Sequence, residues 1–499
     1  MIKNDTLLKI TFGLSKITFG LFYDLFLFFP YFFYIAICYK ITMSTKYLEI
    51  IPNNVPADGR IQFEGIPVLS FSIGSQAALL KLDSIKVAGK LSVWRNRGAA
   101  RADLKHPEGL PGAGPPVGDE ANECMASEKM GIYGLMSQLV WRNSKTKQVC
   151  EHIRHYSRFM SSYLPVLSST QDSISHLSET ALIMPSARAF QDSVIRNTSY
   201  SSFCCPLPSG MTMGGGVEGA PEGHLPLFES GFGGLDCEIH LSPPQQFFFS
   251  TDGTATPIAD CFYELSDVRI ICEVYVPPMD ELSSLMSRTS DAFNFNSISS
   301  YSTTLESTNA IINFQLGLRR VLSAFVNFVP SSFINNLAQN GYITSFPAKA
   351  DGELAEIEDV SVLKNGERFP YEFTVDANIK ADSKVKTVDA QITKEFASAI
   401  LPETHHMRTS ISPVNTNRFF TMANGAGATD YDVVPEGGPV FGVGVLYDQF
   451  DSDGVDFSTD AFSLQLNTDL DDANPNTAFL FVKAKNTLAY SPMGIMVAS

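Results

Sequence analysis

The sequence predicts an all-β protein in which two β domains follow one another, each with a short helical insertion. Apolar and polar residues alternate with period two over many short stretches, which places their side chains on opposite faces of strands. The 499 residues include 37 Phe and 35 Gly, and only 18% are charged; helical bundles are instead rich in Ala, Leu, Glu and Lys. The helical segments do not alternate with strands as they do in βαβ folds.

The first 42 residues differ from the rest of the chain. Their apolar run from Leu25 to Tyr39 contains Pro30 and follows Asp24, and it is shorter than the roughly 20 residues of a membrane-spanning helix. Three interpretations stay open. Met43 is the true start and residues 1–42 are no part of the mature protein, or the segment is an uncleaved membrane anchor, or it is a signal peptide.

The first domain is predicted at residues 43–285. Over 69–73, Leu, Phe and Ile alternate with Ser, and similar alternation continues over 80–93. The run from Val268 to Val276 alternates cleanly and ends at Pro277-Pro278. Such strands have one face in a core and the other towards water or another subunit.

The second domain is predicted at residues 286–499. Residues 281–309 are rich in Ser, Thr and Asn without a sustained apolar period, so the domain boundary is placed there. Asn365-Gly366 is a tight-turn pair. Strands are predicted before this turn, over 312–318, and after it, over 371–375, 462–466, 479–482 and 488–490.

Two stretches have helical spacing. Their apolar residues recur at intervals of three and four, which places them on one face of a helix. The first set is Val149, Ile153, Tyr156, Met160 and Tyr163; the second is Val388, Ile392, Phe396 and Ile400, which Pro402 ends. Each is interpreted as an insertion into a β domain.

Two further stretches predict surface loops. Residues 102–122 are rich in Pro and Gly, and residues 209–223 are rich in Gly. Neither contains the regular apolar spacing of a strand or a helix.

The net charge and the cysteines of the chain limit the functions that it can have. The formal net charge is −17, and no run of five Lys or Arg residues occurs. An acidic surface repels phosphate, so direct binding of nucleic acid by this chain is disfavoured.

The eight cysteines include no Cys-x-x-Cys pair. Reduced, mostly buried thiols are therefore predicted in place of a disulfide framework or a zinc site.

No catalytic, cofactor-binding or metal-binding residue is predicted. His152 and His155 are spaced i, i+3, whereas helical metal sites more usually use i, i+4 with a Glu between. The stretch 448–460 has five Asp residues but not the spacing of an EF-hand, and a solvated loop is favoured. Gly-rich segments 112–118 and 214–216 lack nucleotide-binding motifs, and His405-His406 is interpreted as loop. The chain is therefore predicted not to be an enzyme.

Three segments resemble a known family. Residues 357–375 (IEDVSVLKNGERFPYEFTV) resemble the strand-turn-strand in the second domain of double jelly-roll major capsid proteins, those of polinton-like viruses and virophages above all, with nucleocytoplasmic large DNA viruses further off. Residues 456–497 resemble the closing strands of these proteins, and residues 263–270 resemble the last strands of their first domain. The resemblance extends diffusely from about residue 50 to the end and leaves residues 1–42 out.

The resemblance implies a fold and a role. Each domain would be a jelly roll, and three subunits would form a pseudo-hexagonal homotrimer that tiles an icosahedral virion shell. Neighbouring capsomers and minor capsid or penton proteins would be its partners, without sequence-specific nucleic-acid binding. The loops 102–122 and 209–223 would lie on the outer tower or meet neighbouring subunits.

Two alternatives from other classes are kept. One is a membrane-anchored β-sandwich protein that binds glycans or a protein partner, which requires residues 1–42 to be inserted in a membrane. The other is a β-rich hydrolase of polysaccharide, which requires two facing carboxylates in a cleft.

Overall fold

The structure is a computed structural model. It describes residues 44–94, 124–126, 130–167, 178–182, 200–217, 223–250, 261–287, 291–306, 309–336, 341–342, 357–372, 374–379, 390–400, 421–422, 433–434, 442–447, 453–470, 475–491 and 494–498. Residues 1–43, the predicted loop 102–122, the glycine-rich segment 112–118 and His405-His406 lie outside these ranges. Within them, no helix is long and apolar enough to cross a membrane.

The described elements are mostly strands. In the first half these are β1 (Ser44–Ile50), β2 (Arg60–Ile61), β3 (Val68–Ile73), β4 (Leu79–Trp94), β5 (Cys124–Ala126), β6 (Met136–Asn143), β7 (Val149–Ile153), β8 (Ser201–Pro206), β9 (Gly215–Val217), β10 (His224–Pro226), β11 (Leu235–Leu241), β12 (Phe248–Ser250) and β13 (Phe262–Val276). In the second half they are β14 (Asp291–Leu305), β15 (Asn309–Gln315), β16 (Val321–Pro330), β17 (Ile357–Lys364), β18 (Glu367–Arg368), β19 (Val375–Ile379), β20 (Thr421–Met422), β21 (Val433–Val434), β22 (Val443–Leu446), β23 (Ala461–Thr468), β24 (Asn476–Ser491) and β25 (Gly494–Ala498). The helices are α1 (Tyr156–Leu167), α2 (Ser178–Ala181), α3 (Pro244–Phe247), α4 (Met279–Met286) and α5 (Ala390–Ile400), with 3₁₀ turns at Gly131–Leu135 and Ser331–Phe333.

The first half of the chain forms one β-sandwich. Its larger sheet has the order β1-β13-β4-β10, with β2 also paired to β13 and β8 to β4. The facing sheet has the order β3-β11-β6-β7. The predicted alternation is confirmed in β3, where Leu69, Phe71 and Ile73 are buried and the residues between them are half-buried. Burial of these alternating apolar side chains between the two sheets is the main stabilising contribution here.

The second half forms another sandwich. One sheet has the order β22-β16-β24-β14-β9, with β25 paired to β24. The other has the order β15-β23-β17-β18, with β19 paired to β17. Asn365 and Gly366 both have positive φ in the turn between β17 and β18, which confirms the predicted tight turn.

The two sandwiches share one strand topology. If eight principal strands are numbered along each half, one sheet takes them in the order 1-8-3-6 and the other in the order 2-7-4-5. In the first half these sheets are β1-β13-β4-β8 and β3-β11-β6-β7; in the second they are β14-β24-β16-β22 and β15-β23-β17-β18. This is the jelly-roll order. The helical insertions are equivalent too, because α1 and α5 each lie between the fifth and sixth strands.

Four sequence-based predictions need correction. Residues 149–153 are not the start of a helix: they form β7, which pairs with β6, and the helix begins only at Tyr156. The Ser- and Asn-rich stretch, in which no strand was predicted, is mostly β14, which pairs with β24 along its whole length. Residues 479–490 belong to the single long strand β24. Tyr371 precedes β19 and lies outside any strand. The domain boundary at 285/286 stays a prediction.

Candidate functional site at the junction of the two sandwiches

An aromatic cluster joins the two sandwiches. Phe325 on β16 and Phe481 on β24 point out of the second sandwich and are fully buried, with ring centroids 5.3 Å apart. Phe159 of α1 lies edge-on to Phe481 at 5.8 Å, and Phe396 of α5 lies edge-on to Phe325 at 5.9 Å. The insertion helices therefore fill the junction, and their apolar faces are buried against the neighbouring sheet.

Arg158 is a buried cation at this junction. Its guanidinium carbon lies 4.3 Å from the ring centroid of Tyr342 and 5.5 Å from that of Phe479, and it donates a hydrogen bond to the carbonyl of Gly341. Burial lowers the pKa of the Arg158 side chain, yet arginine keeps its charge in proteins. The planar group thus joins a first-half helix to two second-half aromatic rings.

Asn327 of β16 adds polar bonds to the same helix. Its amide nitrogen donates to Ser162 Oγ at 2.5 Å and to the backbone carbonyl of Arg158 at 3.3 Å. Nearby, the backbone N–H of Arg154 donates to Ser300 Oγ at 2.8 Å. Buried polar groups that find partners fix one relative position of the packed elements.

Glu151 is a buried carboxylate that accepts hydrogen bonds from both halves. Oε1 accepts from the N–H groups of Gly210 at 3.0 Å and Ile298 at 2.7 Å, and Oε2 accepts from Met211 at 3.1 Å. Burial raises the pKa of Glu151 to about 7, although these three donors favour the charged form. One side chain thereby holds a first-half loop and β14 of the second half together.

The segment 209–217 was predicted as part of a surface loop, and that prediction is wrong for the residues the structure describes. Ser209, Met211 and Thr212 are buried, and β9 extends the second sandwich by pairing with β14. Glycine is needed where the chains meet: a Cβ on Gly210 would lie 2.1 Å from the carbonyl oxygen of Asn296. The glycines therefore permit close backbone approach between the two halves.

An open groove of about 620 Å³ runs beside β9. Its lining includes the cations Arg320, Lys483 and Lys485 and the amide of Asn294. The Lys485 ammonium lies 3.6 Å from a carboxylate oxygen of Asp453. The lining also includes Met213 and Phe295, so the walls are both polar and apolar, with an ion pair at one side.

His152 and His155, which were considered as metal ligands from the sequence, have different partners in the structure. His152, on β7, makes a 2.9 Å hydrogen bond with Gln138 Oε1, and burial lowers its pKa. His155 precedes α1 and lies edge-on to Phe479 at 5.0 Å, and burial lowers its pKa to about 4. Within the described ranges, no group of three or more His, Cys, Asp or Glu side chains is placed to hold a metal ion.

The acidic stretch near the C-terminus is partly described. Asp456 accepts a hydrogen bond from the N–H of Ser458 at 2.7 Å, and Asp460 pairs with Lys364 at 3.2 Å. These carboxylates use local partners, as the loop interpretation expects. Of six described cysteines, all but Cys204 are buried, which agrees with the burial predicted for them.

The residues that join the two sandwiches were not predicted from the sequence. Glu151 lies between Cys150 and His152 in a segment that the spacing placed on a helix, and Arg158 looked like an ordinary polar residue on a helical flank. Their partners in the second half, Ile298 and Gly341, lie more than 100 residues away in sequence.

These features define the class of the protein: two jelly rolls of one topology in a single chain, with a shared buried junction, which is the double jelly-roll fold. The chain is similar to VP54 of the virus PBCV-1, solved as a crystal structure and fitted into a reconstruction of the virophage Sputnik: the TM-score is 0.54 at 10% identity, over 92% of this chain and 97% of that one. It is likewise similar to a chain of the quasi-atomic model of the PBCV-1 capsid, with a TM-score of 0.53 at 9% identity over 92% and 97%. No protein-family model and no curated protein matches the sequence.

Proposed function

We propose that this protein is a structural subunit of an icosahedral virus shell, a major capsid protein that assembles as homotrimers of pseudo-hexagonal outline. The observation that carries the proposal is the double jelly roll itself, which matches VP54 along nearly the whole of both chains. Two similar sandwiches side by side give each subunit an internal near-twofold repeat, so three subunits present six similar blocks.

The buried junction supports a structural role for the two sandwiches. The buried contacts of Arg158, Glu151 and Phe481 fix the two sandwiches relative to one another. A shell subunit needs such rigidity because its contacts with neighbours repeat at many positions and tolerate little change of shape. No chemistry at a catalytic site is required for this role.

The partners follow from the same proposal. Other copies of this chain are the main partners, with neighbouring capsomers and minor capsid or penton proteins beside them in the virion. The net charge of −17 disfavours direct contact with a genome.

The test is the oligomeric state of the purified full-length chain. Light scattering coupled to size-exclusion chromatography should give a mass about three times the 54.6 kDa of one chain. Negative-stain images should show particles of nearly hexagonal outline. A well-folded monomer at all concentrations would contradict the proposal.

A further inference from the structure

The face of β24 that is turned towards the first sandwich carries aromatic residues first and lysines after them. Phe479 and Phe481 lie in the junction, and the next two residues on the same face, at intervals of two, are Lys483 and Lys485. Lys483 is buried and Lys485 is half-buried, and both line the groove beside β9. The apolar contact between the sandwiches is therefore followed by a cationic surface where the groove opens.

Arg320, in the connection between β15 and β16, brings a third cation to the same groove. Its backbone carbonyl accepts a hydrogen bond from the N–H of Lys485 at 3.1 Å. Its guanidinium Nη2 lies 3.5 Å from the carbonyl oxygen of Lys485 and 3.4 Å from Thr487 Oγ1. These contacts hold the guanidinium beside β24 without neutralising its charge, because both side-chain partners are uncharged.

The charge of the groove is opposite to that of the whole chain, which has a formal net charge of −17. The described lining contains three cations and no Asp or Glu, and Arg320 is in no ion pair within the described ranges. Asp453 lies beside Lys485 at 3.6 Å, and the Asp453 side chain is 87% exposed. An exposed ion pair of this kind contributes little, so another anion can replace Asp453.

The groove has the size and the lining of a small-molecule site. Its volume of about 620 Å³ lies within the range of roughly 300–1,000 Å³ that is usual for ligand pockets. Asn294 and Asn296 supply amide groups, and Met213 and Phe295 supply apolar surface. A Cβ on Gly214 would meet nothing within 4 Å, so a ligand has room to approach the backbone there.

We propose that this groove binds the phosphate group of a small organic phosphate, with Arg320, Lys483 and Lys485 contacting the phosphate oxygens. A phosphate ester carries a charge of about −1.5 to −2 near pH 7 and three acceptor oxygens. It therefore suits three cations better than a carboxylate does, which has one charge and two oxygens. The planar guanidinium can donate two parallel hydrogen bonds to such a group. In the bound state the phosphate takes the place of Asp453 at Lys485.

The binding test uses inorganic pyrophosphate as the probe, titrated calorimetrically into the unchanged full-length protein at low ionic strength. One molecule is expected to bind per chain. The affinity should fall as salt is added, because the contacts are between charges. No binding, or several weak sites per chain, would overturn the proposal.

Two substitutions that remove the same charge distinguish the groove from the surrounding surface. Arg320→Gln should weaken pyrophosphate binding about tenfold or more, because hydrogen bonds between charged groups are lost. Arg319→Gln is the matched control, since Arg319 is the preceding residue, is exposed and does not line the groove. It should leave the affinity nearly unchanged. Equal weakening by both substitutions would mean adsorption to diffuse charge and would contradict the proposed site.

A third substitution covers the case in which Arg320→Gln does not fold. Asp453→Asn removes the carboxylate that competes for Lys485, and its exposure makes a loss of the fold unexpected. Pyrophosphate should bind about two- to fivefold more tightly to this variant, with an unaltered far-UV circular dichroism spectrum. Asp456→Asn is the control, since Asp456 instead bonds Ser458. An affinity of Asp453→Asn no higher than that of the control would count against the proposal.

A phosphate group of this kind can belong to a soluble ester or to a lipid headgroup, and vesicle flotation distinguishes the two. Vesicles of phosphatidylcholine with phosphatidic acid are compared with vesicles of phosphatidylcholine alone. Flotation with phosphatidic acid that Arg320→Gln abolishes would support the site with a lipid as its ligand. Pyrophosphate binding without flotation would support it with a soluble ester. Flotation that persists in Arg320→Gln, together with an unchanged pyrophosphate affinity, would refute the site.

Discussion

At the scale of single residues, the junction depends on charged groups that are buried and fully engaged. Glu151 and Arg158 each join the two halves, and removing either would leave buried partners unsatisfied. Local sequence could not reveal them, because a charged residue on a strand or helix is usually solvated. Only the long-range pairing that brings β7 beside β14 gives them partners.

Glu151 should make stability depend on pH. Its pKa is raised in the folded state from 4.5 to about 7, so its contribution is fully present below 4.5 and is lost as pH rises to about 7. The shift corresponds to about 3 kcal/mol at most. The free energy of unfolding of the unchanged protein should therefore fall, relative to that of Glu151→Gln, between about pH 4.5 and pH 7 and level off above that range.

Urea titrations at several pH values measure this difference. Glu358→Gln is the control, since Glu358 is an exposed residue that bonds Asn467 on the surface. A constant difference between the unchanged protein and Glu151→Gln across the range would contradict the assignment.

At the scale of elements, pairing between strands that are distant in sequence explains why two sequence patterns gave wrong predictions. The spacing of residues 149–163 fits one helix, but pairing with β6 draws residues 149–153 into a sheet. β14 was not predicted as a strand because Ser297 and Ser300 interrupt its apolar pattern, yet both are buried where the strand lies between the two sandwiches. By contrast, β3 and α5 were predictable, because each buries only one face.

In strand β9, a larger side chain should destabilise the protein at Gly215 but be tolerated at Gly216. A Cβ on Gly215 would lie 2.4 Å from Cζ of Phe293, whereas a Cβ on Gly216 would meet nothing within 4 Å. Gly215→Val should destabilise the protein by about 2 kcal/mol or more through loss of the β9–β14 pairing. Gly216→Val should cost much less.

Chemical denaturation gives the two free energies, and hydrogen exchange at Asn294, which pairs with Gly216 and directs its carbonyl towards β9, reports on the pairing. Faster exchange in Gly215→Val alone is expected. Equal effects of the two substitutions would show that β9 does not depend on this close approach.

At the scale of the whole molecule, the all-β class, the serial arrangement and the resemblance to capsid proteins could be predicted from the sequence, and the fold is confirmed. The junction could not, because its contacts join residues far apart in sequence. One consequence is cooperativity. A single buried cluster includes Phe71 of the first sandwich and Phe481 of the second.

Because that core spans both halves, the two sandwiches should unfold together. Differential scanning calorimetry should show one transition whose van't Hoff and calorimetric enthalpies agree for the cooperative unit. Two well-separated transitions would mean that the junction contributes little to stability.

Single-particle cryo-electron microscopy of the purified full-length protein is the most direct test of the proposal that this chain is a trimeric capsid subunit. The expected result is a particle with threefold symmetry in which six jelly rolls form a nearly hexagonal ring. A monomer with two sandwiches, or a twofold dimer, would contradict it.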